Sequence, residues 1–192
     1  MSEQHAAALG ALRAWAAPDE EQERLRRAYV RHLQDHPDGL LVTCVPSHLT
    51  ASLLVLDESG ERVLLHHHRK GGFWGQFGGH VEAGDTDLAA AALREGREES
   101  GIRGSNSNDG NHGLRLVGDG PVDLDRHALS GAFGRCGEHL DVRYAAVAPA
   151  DAVPVRSAES HDVAWFPLDA LPAGSVADIG RLVERARLAL TR

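Results

Sequence analysis

The chain has 192 residues, of which 42% are hydrophobic, enough for one cored domain or one domain with a helical extension. Its formal net charge of −8 argues against a surface that coats a nucleic-acid polymer, yet leaves room for a small polyphosphate met through a cation. Cys44 and Cys136 form no CxxC pair or disulfide framework, no apolar run approaches the roughly 20 residues of a membrane span, and no basic-then-apolar leader opens the chain, so a cytoplasmic location is the expectation.

Residues 1–36 read as helical. His5 to Ala17 is rich in alanine and leucine, with Leu9, Leu12 and Trp15 at helical spacing. Pro18-Asp19 breaks that helix and restarts another, whose stripe is Leu25, Tyr29 and Leu33. Such a stripe packs on a core or serves as a contact between two copies of the chain. Pro37-Asp38-Gly39 ends the segment.

Strands are expected at Gly39–Cys44 and Thr50–Leu56, the latter with Leu53, Leu54 and Val55 apolar in a row, as in a strand covered on both faces. Asp57-Glu58-Ser59-Gly60 is a turn, and Val63-Leu64-Leu65 continues as a strand into His66-His67-His68-Arg69-Lys70. Alternation puts His67 on the face opposite His66 and His68, which argues against a shared zinc ion. Arg69 and Lys70 are either phosphate-holding cations or surface charges. The glycine-rich run Lys70–Gly79 lacks the Walker order.

From Gly78-Gly79-His80-Val81-Glu82-Ala83-Gly84 the chain passes through Asp85, Thr86 and Asp87, all good N-cap residues, into the alanine- and leucine-rich Leu88–Leu93. Gly101 is a good helix terminator. Glu95, Glu98 and Glu99 fall at i, i+3 and i+4, placing three carboxylates on one helical face. Their repulsion calls for positive charge, from Arg94 and Arg97 or from a hard divalent cation.

Gly104–Gly113 reads as a polar, variable loop. Leu114–Val117 and Val122–Leu124 are short strands. His139–Val147 alternates, with His139, Asp141 and Arg143 on one face, directed to a cleft or to water, and Leu140, Val142 and Tyr144 on the other. Val163–Leu168 is a further strand, Leu171-Pro172 marks a short helix, and Val176–Leu190 is a final amphipathic helix.

The order of parts from Gly79 to Ile102 resembles the Nudix box: Gly, five residues, Glu, seven residues, then Arg-Glu-apolar-x-Glu-Glu-x-Gly-apolar. Arg94-Glu95, Glu98-Glu99, Gly101 and Ile102 match. Asp85 stands for the first Glu, one extra residue precedes Arg94, and Gly96 replaces an apolar residue. The insertion leaves either Asp85 or Asp87 as the first acid. Trp74 and the Trp165-Phe166-Pro167 end of the later strand also fit the family's pattern.

The resemblance implies an α/β fold: a Nudix-like α/β/α sandwich with a mixed sheet over residues 39–192, preceded by the helical extension 1–38. It implies metal-dependent hydrolysis of a diphosphate linkage in a nucleoside diphosphate derivative or similar small molecule. Mg²⁺, or alternatively Mn²⁺, would be held by the Gly79 carbonyl, Glu95, Glu98 and Glu99. Arg94 would orient a glutamate, and Glu95, Glu138 or Glu159 would be the general base. Arg69, Lys70, Trp74, Glu82 and Asp141 are the candidate substrate contacts, and Phe73, Trp74, Phe77, Phe133 and Tyr144 the aromatic side chains available to stack on a base. The partner is a small diphosphate, with no nucleic-acid polymer and no membrane, and a homodimer is an option. Two other readings belong to the same fold: a non-catalytic nucleotide sensor, and a prenyl-diphosphate isomerase, which would want a pocket cysteine.

Overall fold

Two capped helices precede the sheet in a computed structural model that describes residues 2–103, 113–129 and 136–191. Helix α1 spans Glu3–Ala14, where Ser2 accepts from the His5 amide, and α2 spans Glu20–Asp35, where Asp19 accepts from the Gln22 amide. Both caps satisfy amide groups that the first helical turn leaves without partners. Ala8, Leu9, Leu12, Tyr29 and Leu33 are buried in the main core, so the apolar stripes pack on the domain. The buried His5 ring bonds the Leu33 carbonyl through Nε2 at 2.7 Å and ties α1 to α2.

The strand expected at Gly39–Cys44 is absent. Its amides close turns instead, Gly39 to the His36 carbonyl, Leu41 to Asp38 and Cys44 to Leu41. Leu41 and Val42 are 52% and 56% exposed, so apolar composition there reflects no buried ladder.

One mixed sheet of eight strands follows: β1 (Ser47–Leu56), β2 (Arg62–His68), β3 (Trp74–Gly75), β4 (Phe77–His80), β5 (Arg115–Leu116), β6 (Asp123–Ala128), β7 (Glu138–Val147) and β8 (Ser160–Pro167). β1 is central. It runs parallel to β7 over its full length, from Ser47 opposite Glu138 to Leu56 opposite Val147. Its first half pairs with β4 and its last residues with β2, both antiparallel. β8 and β3 extend from β2, while β5 and β6 pair with β7. Helix α3 (Leu88–Ser100) lies over one face with α1 and α2, where Leu49, Ala51, Leu53, Val142 and Tyr144 are buried. Helix α4 (Ile179–Leu190) covers Leu54, Leu56, Ala145 and Val147 on the other. The result is the expected layering of helices on both faces of a mixed sheet.

Between β8 and α4 the chain makes turns, where a short helix was expected, and α4 starts three positions late. Pro167, Pro172 and Gly174, the last at φ +78°, interrupt helix propagation. The polar face of β7 faces neither water nor a cleft at Asp141 and Arg143, which are 4% and 3% exposed. Arg143 reaches Asp125 at 3.0 Å, Asp141 at 3.1 Å, Asp123 at 3.3 Å and also Asp178, joining the sheet to the start of α4. The loop expected at Gly104–Gly113 lies outside the described residues except for its last glycine. Among the described residues no helix is long and apolar enough to cross a membrane.

Candidate active site

Helix α3 begins where Asp87 accepts from the Ala90 amide at 2.8 Å and ends at Gly101, whose φ of +70° is the left-handed stop that glycine adopts without strain. Asp87 is therefore the cap, and Asp85 is the acid that meets Arg94. Arg94 donates through Nε and Nη2 to the two Asp85 carboxylate oxygens at 3.0 and 3.1 Å. The same guanidinium donates to the His80 carbonyl at 2.8 Å, to Glu95 at 3.0 Å and to Glu98 at 3.3 Å. One planar fork thus binds the box loop to the acidic face of the helix. Asp85 and Thr86 precede the cap, so the turn before the helix has room for the extra residue of the box.

The two glycines of β4 each receive a glutamate. Glu99 accepts from the Gly78 amide at 2.8 Å, and a side chain on Gly79 would collide with Glu95, its Cβ falling 2.4 Å from Oε1. Glu99 is 4% exposed, and burial pushes its pKa up to about 8, the Gly78 hydrogen bond offsetting only part of that. Burial also raises Glu95, against the opposing pull of Arg94. Glu98 projects outward, with its side chain 56% exposed. Behind Glu99 stands His66, with Nδ1 3.6 Å from Oε1 and 2.8 Å from the Ser160 hydroxyl; burial pulls its pKa down to about 4, so the ring is neutral.

A model of the NUDIX domain matches residues 46–186. The chain belongs to the Nudix family. No curated protein matches it in sequence. Solved structures share its fold. A Nudix hydrolase from Clostridium perfringens is 20% identical, with 75% of this chain and 96% of that one covered at a TM-score of 0.56. The E. coli dihydroneopterin triphosphate pyrophosphohydrolase is 19% identical over 74% and 95%, with a TM-score of 0.58. A C. elegans Ap4A hydrolase is 20% identical over 74% and 98%, with a TM-score of 0.53.

Around the Nudix box the remaining expected residues fall in distinct places. Glu159 is exposed on the loop before β8; its carbonyl accepts from the Arg69 amide at 2.8 Å, and its charge acts on both Glu95 and Glu99. Arg69 donates to the Ser160 carbonyl at 3.3 Å, and Lys70 is exposed beside it. Glu82 has its side chain 67% exposed, 3.9 Å from Arg94. Glu138, in contrast, is paired through both oxygens with Arg126 on the β6–β7 hairpin.

Asp141 is committed internally. It accepts from Thr50 at 3.0 Å, Ser52 at 2.7 Å and Arg143 at 3.1 Å, which leaves little capacity for a ligand. Trp74 packs edge-on against Phe166 at 4.9 Å within the second core. Phe77 and Tyr144 are buried in the first, and Phe133 lies outside the described residues. Of the aromatic candidates, Phe73 is stacked on His68, with centroids 5.4 Å apart. The contributions of His66 and Ser160 behind Glu99 were not anticipated; the run of three histidines signalled a site edge without saying which ring would face the helix.

Proposed function

We propose that this Nudix chain is a divalent-metal-dependent hydrolase that cleaves a diphosphate linkage in a nucleoside diphosphate derivative. The observation that carries the reading is the setting of Glu95 and Glu99. Both are buried acids, raised above their ordinary values by burial, and each lies against the backbone of a glycine pair. Oxygen donors of that charge suit Mg²⁺ or Mn²⁺. Glu95, Glu98, Glu99 and the Gly79 carbonyl would hold the ion, with Arg94 Nη1 now carrying positive charge between Glu95 and Glu98. When bound, the ion supplies neutralisation of diphosphate oxygens and a lower pKa for the attacking water.

The chain's own residues do the rest. Arg94 fixes the direction of Glu95 from one side, while the Gly78 amide fixes Glu99 from the other, with the His66 ring, bonded to Ser160, packed behind it. Glu159 is our candidate base, because it is exposed and its charge acts on both Glu95 and Glu99, whereas Glu138 is spent on Arg126. Arg69 and Lys70 flank that rim and would receive phosphate oxygens. The substrate class is the one we adopt for a nucleotide-type ligand; two relatives of like fold are named for dihydroneopterin triphosphate and for Ap4A.

The test is a panel of nucleoside diphosphate derivatives incubated with Mg²⁺ or Mn²⁺, with wild type and Glu98→Gln compared. Metal-dependent release of a mononucleotide by wild type, with at least a 10²-fold loss in the variant and an unchanged melting temperature, is expected. Turnover by Glu98→Gln equal to wild type would remove the ligand assignment. Tight nucleotide binding with no turnover by wild type would favour a sensor.

A further inference from the structure

Strands β4, β1 and β7 run side by side, and the sheet face opposite Gly79 and Glu95 carries a histidine from each. His48 is directly opposite His139, and His80 is opposite Thr50, two residues along β1 from His48. The ring centroids stand 5.0 Å apart for His48 and His139, 5.1 Å for His48 and His80, and 5.4 Å for His80 and His139. One ring nitrogen of each residue lies within 4.8 Å of those of the other two.

The environment of His48 points to what they hold. The side chain is fully buried. Its Nδ1 lies 3.2 Å from the Cys44 carbonyl, which can only accept, and 3.5 Å from Cys136 Sγ, whose own proton has the nearer Glu138 carbonyl at 3.2 Å; donation to Cys44 puts the proton on Nδ1. That assigns the lone pair to Nε2, and Nε2 is buried with no hydrogen-bond partner among the described residues. A buried imidazole lone pair without a donor is costly. A backbone carbonyl holding one nitrogen while the other is left bare is how metal-ligating histidines are oriented. His80 is exposed and His139 half-buried, so an ion has a path from solvent to His48.

We propose that His48, His80 and His139 form a site for a divalent late transition-metal ion of the Zn²⁺ class, separate from the carboxylate site of the Nudix box. Three imidazoles with no carboxylate suit Zn²⁺, Co²⁺, Ni²⁺ or Cu²⁺ rather than Mg²⁺ or Ca²⁺. With metal–nitrogen bonds of about 2.1 Å, tetrahedral geometry sets the nitrogens about 3.4 Å apart, so the rings, whose nitrogens now lie within 4.8 Å of one another, would draw closer on binding. The fourth position of such an ion would be left to water. An ion here would cross-link β1 and β7 to β4, the strand that carries Gly78 and Gly79.

Chelator-treated protein titrated with Co²⁺ alone tests the site, read by visible absorption, followed by displacement with Zn²⁺. Wild type and Glu98→Gln are expected to take up Co²⁺ with the intense visible bands of a four-coordinate ion, and His80→Gln and His139→Asn to lose them. His80 is exposed, so that variant keeps its fold, and Zn²⁺ should raise the melting temperature of wild type but not of His80→Gln. Bands retained by both histidine variants, or no such bands in wild type, would overturn the assignment. So would a thiolate-to-cobalt transition surviving in His139→Asn, which would put the ion on a cysteine instead, either Cys136 beside His48 or the cluster of His36, Asp38 and Cys44.

Discussion

Gly79 and Glu95 are in contact with no room for a side chain between them: a Cβ on Gly79 would stand 2.4 Å from Oε1, 2.7 Å from Cδ and 3.1 Å from Oε2 of Glu95. The atoms that would have to move are the end of a flexible side chain, so Gly79→Ala costs the fold little. It must, however, displace a carboxylate whose position the proposed chemistry needs. We expect Gly79→Ala to lose about 10²-fold in kcat, the scale of a 1 Å misplacement in an active site, with a melting temperature near wild type. Full activity in this variant would mean that Glu95 does not act from where it lies.

Gly96 poses the opposite case. It occupies a helix interior, where glycine costs about 1 kcal/mol relative to alanine, at the position where the Nudix pattern has an apolar residue. The reason is packing: a Cβ would fall 2.4 Å from Cδ2 and 3.5 Å from Cβ of the fully buried Leu53 on β1, and 3.3 Å from Leu114. Gly96→Ala is therefore expected to destabilise by about 1–2 kcal/mol in urea unfolding, overpacking exceeding the propensity gain. Leu53→Val in the same chain should recover part of it, a coupling measured by the double-mutant cycle. A stabilised single variant would contradict the close contact.

These two glycines mark how far the sequence could be read. The box and its helix were legible because cap, propensity, spacing and stop all agree over Asp87–Gly101. The two N-terminal helices were legible for the same reason. Gly39–Cys44 is no strand: apolar composition alone carries no information about a pairing partner, and here turns use the amides. Asp141 is no open substrate contact: alternation reports a polar face without saying what covers it. The covering groups, Asp123 and Asp125 on β6 and Asp178 before α4, are remote in the chain. The His48, His80 and His139 cluster was hidden likewise, since it exists only once three strands are in register.

Arg143 holds that buried polar layer together, and its removal should be felt throughout the fold. Replacing it with methionine leaves Asp123 and Asp141 buried without their shared cation, although Arg185 still reaches Asp123. Breaking one side of a buried ion network costs about 3–5 kcal/mol. Arg143→Met is expected to lose stability on that scale in urea unfolding, and Arg143→Met with Asp141→Leu to recover part of it. A loss below 1 kcal/mol from the single change would show that the layer is held by its other members.

On the exposed side of α2, Glu23 gives a pH dependence whose sign follows directly. Hydrogen bonds from Arg26 and then Arg27 hold its carboxyl down to about 2, from an ordinary value of 4.5. A carboxylate depressed in the folded state adds stability that is fully present above its unfolded value and lost as pH falls through the folded one. The melting temperature of wild type should therefore exceed that of Glu23→Gln at pH 7. The gap should shrink below about pH 4.5 and close near pH 2. Because the Arg26 and Arg27 pairs lie at the surface, 0.5 M salt should also shrink it. A gap that widened with acid would mean that Glu23 stabilises α2 in its protonated form, contrary to its place between two arginines.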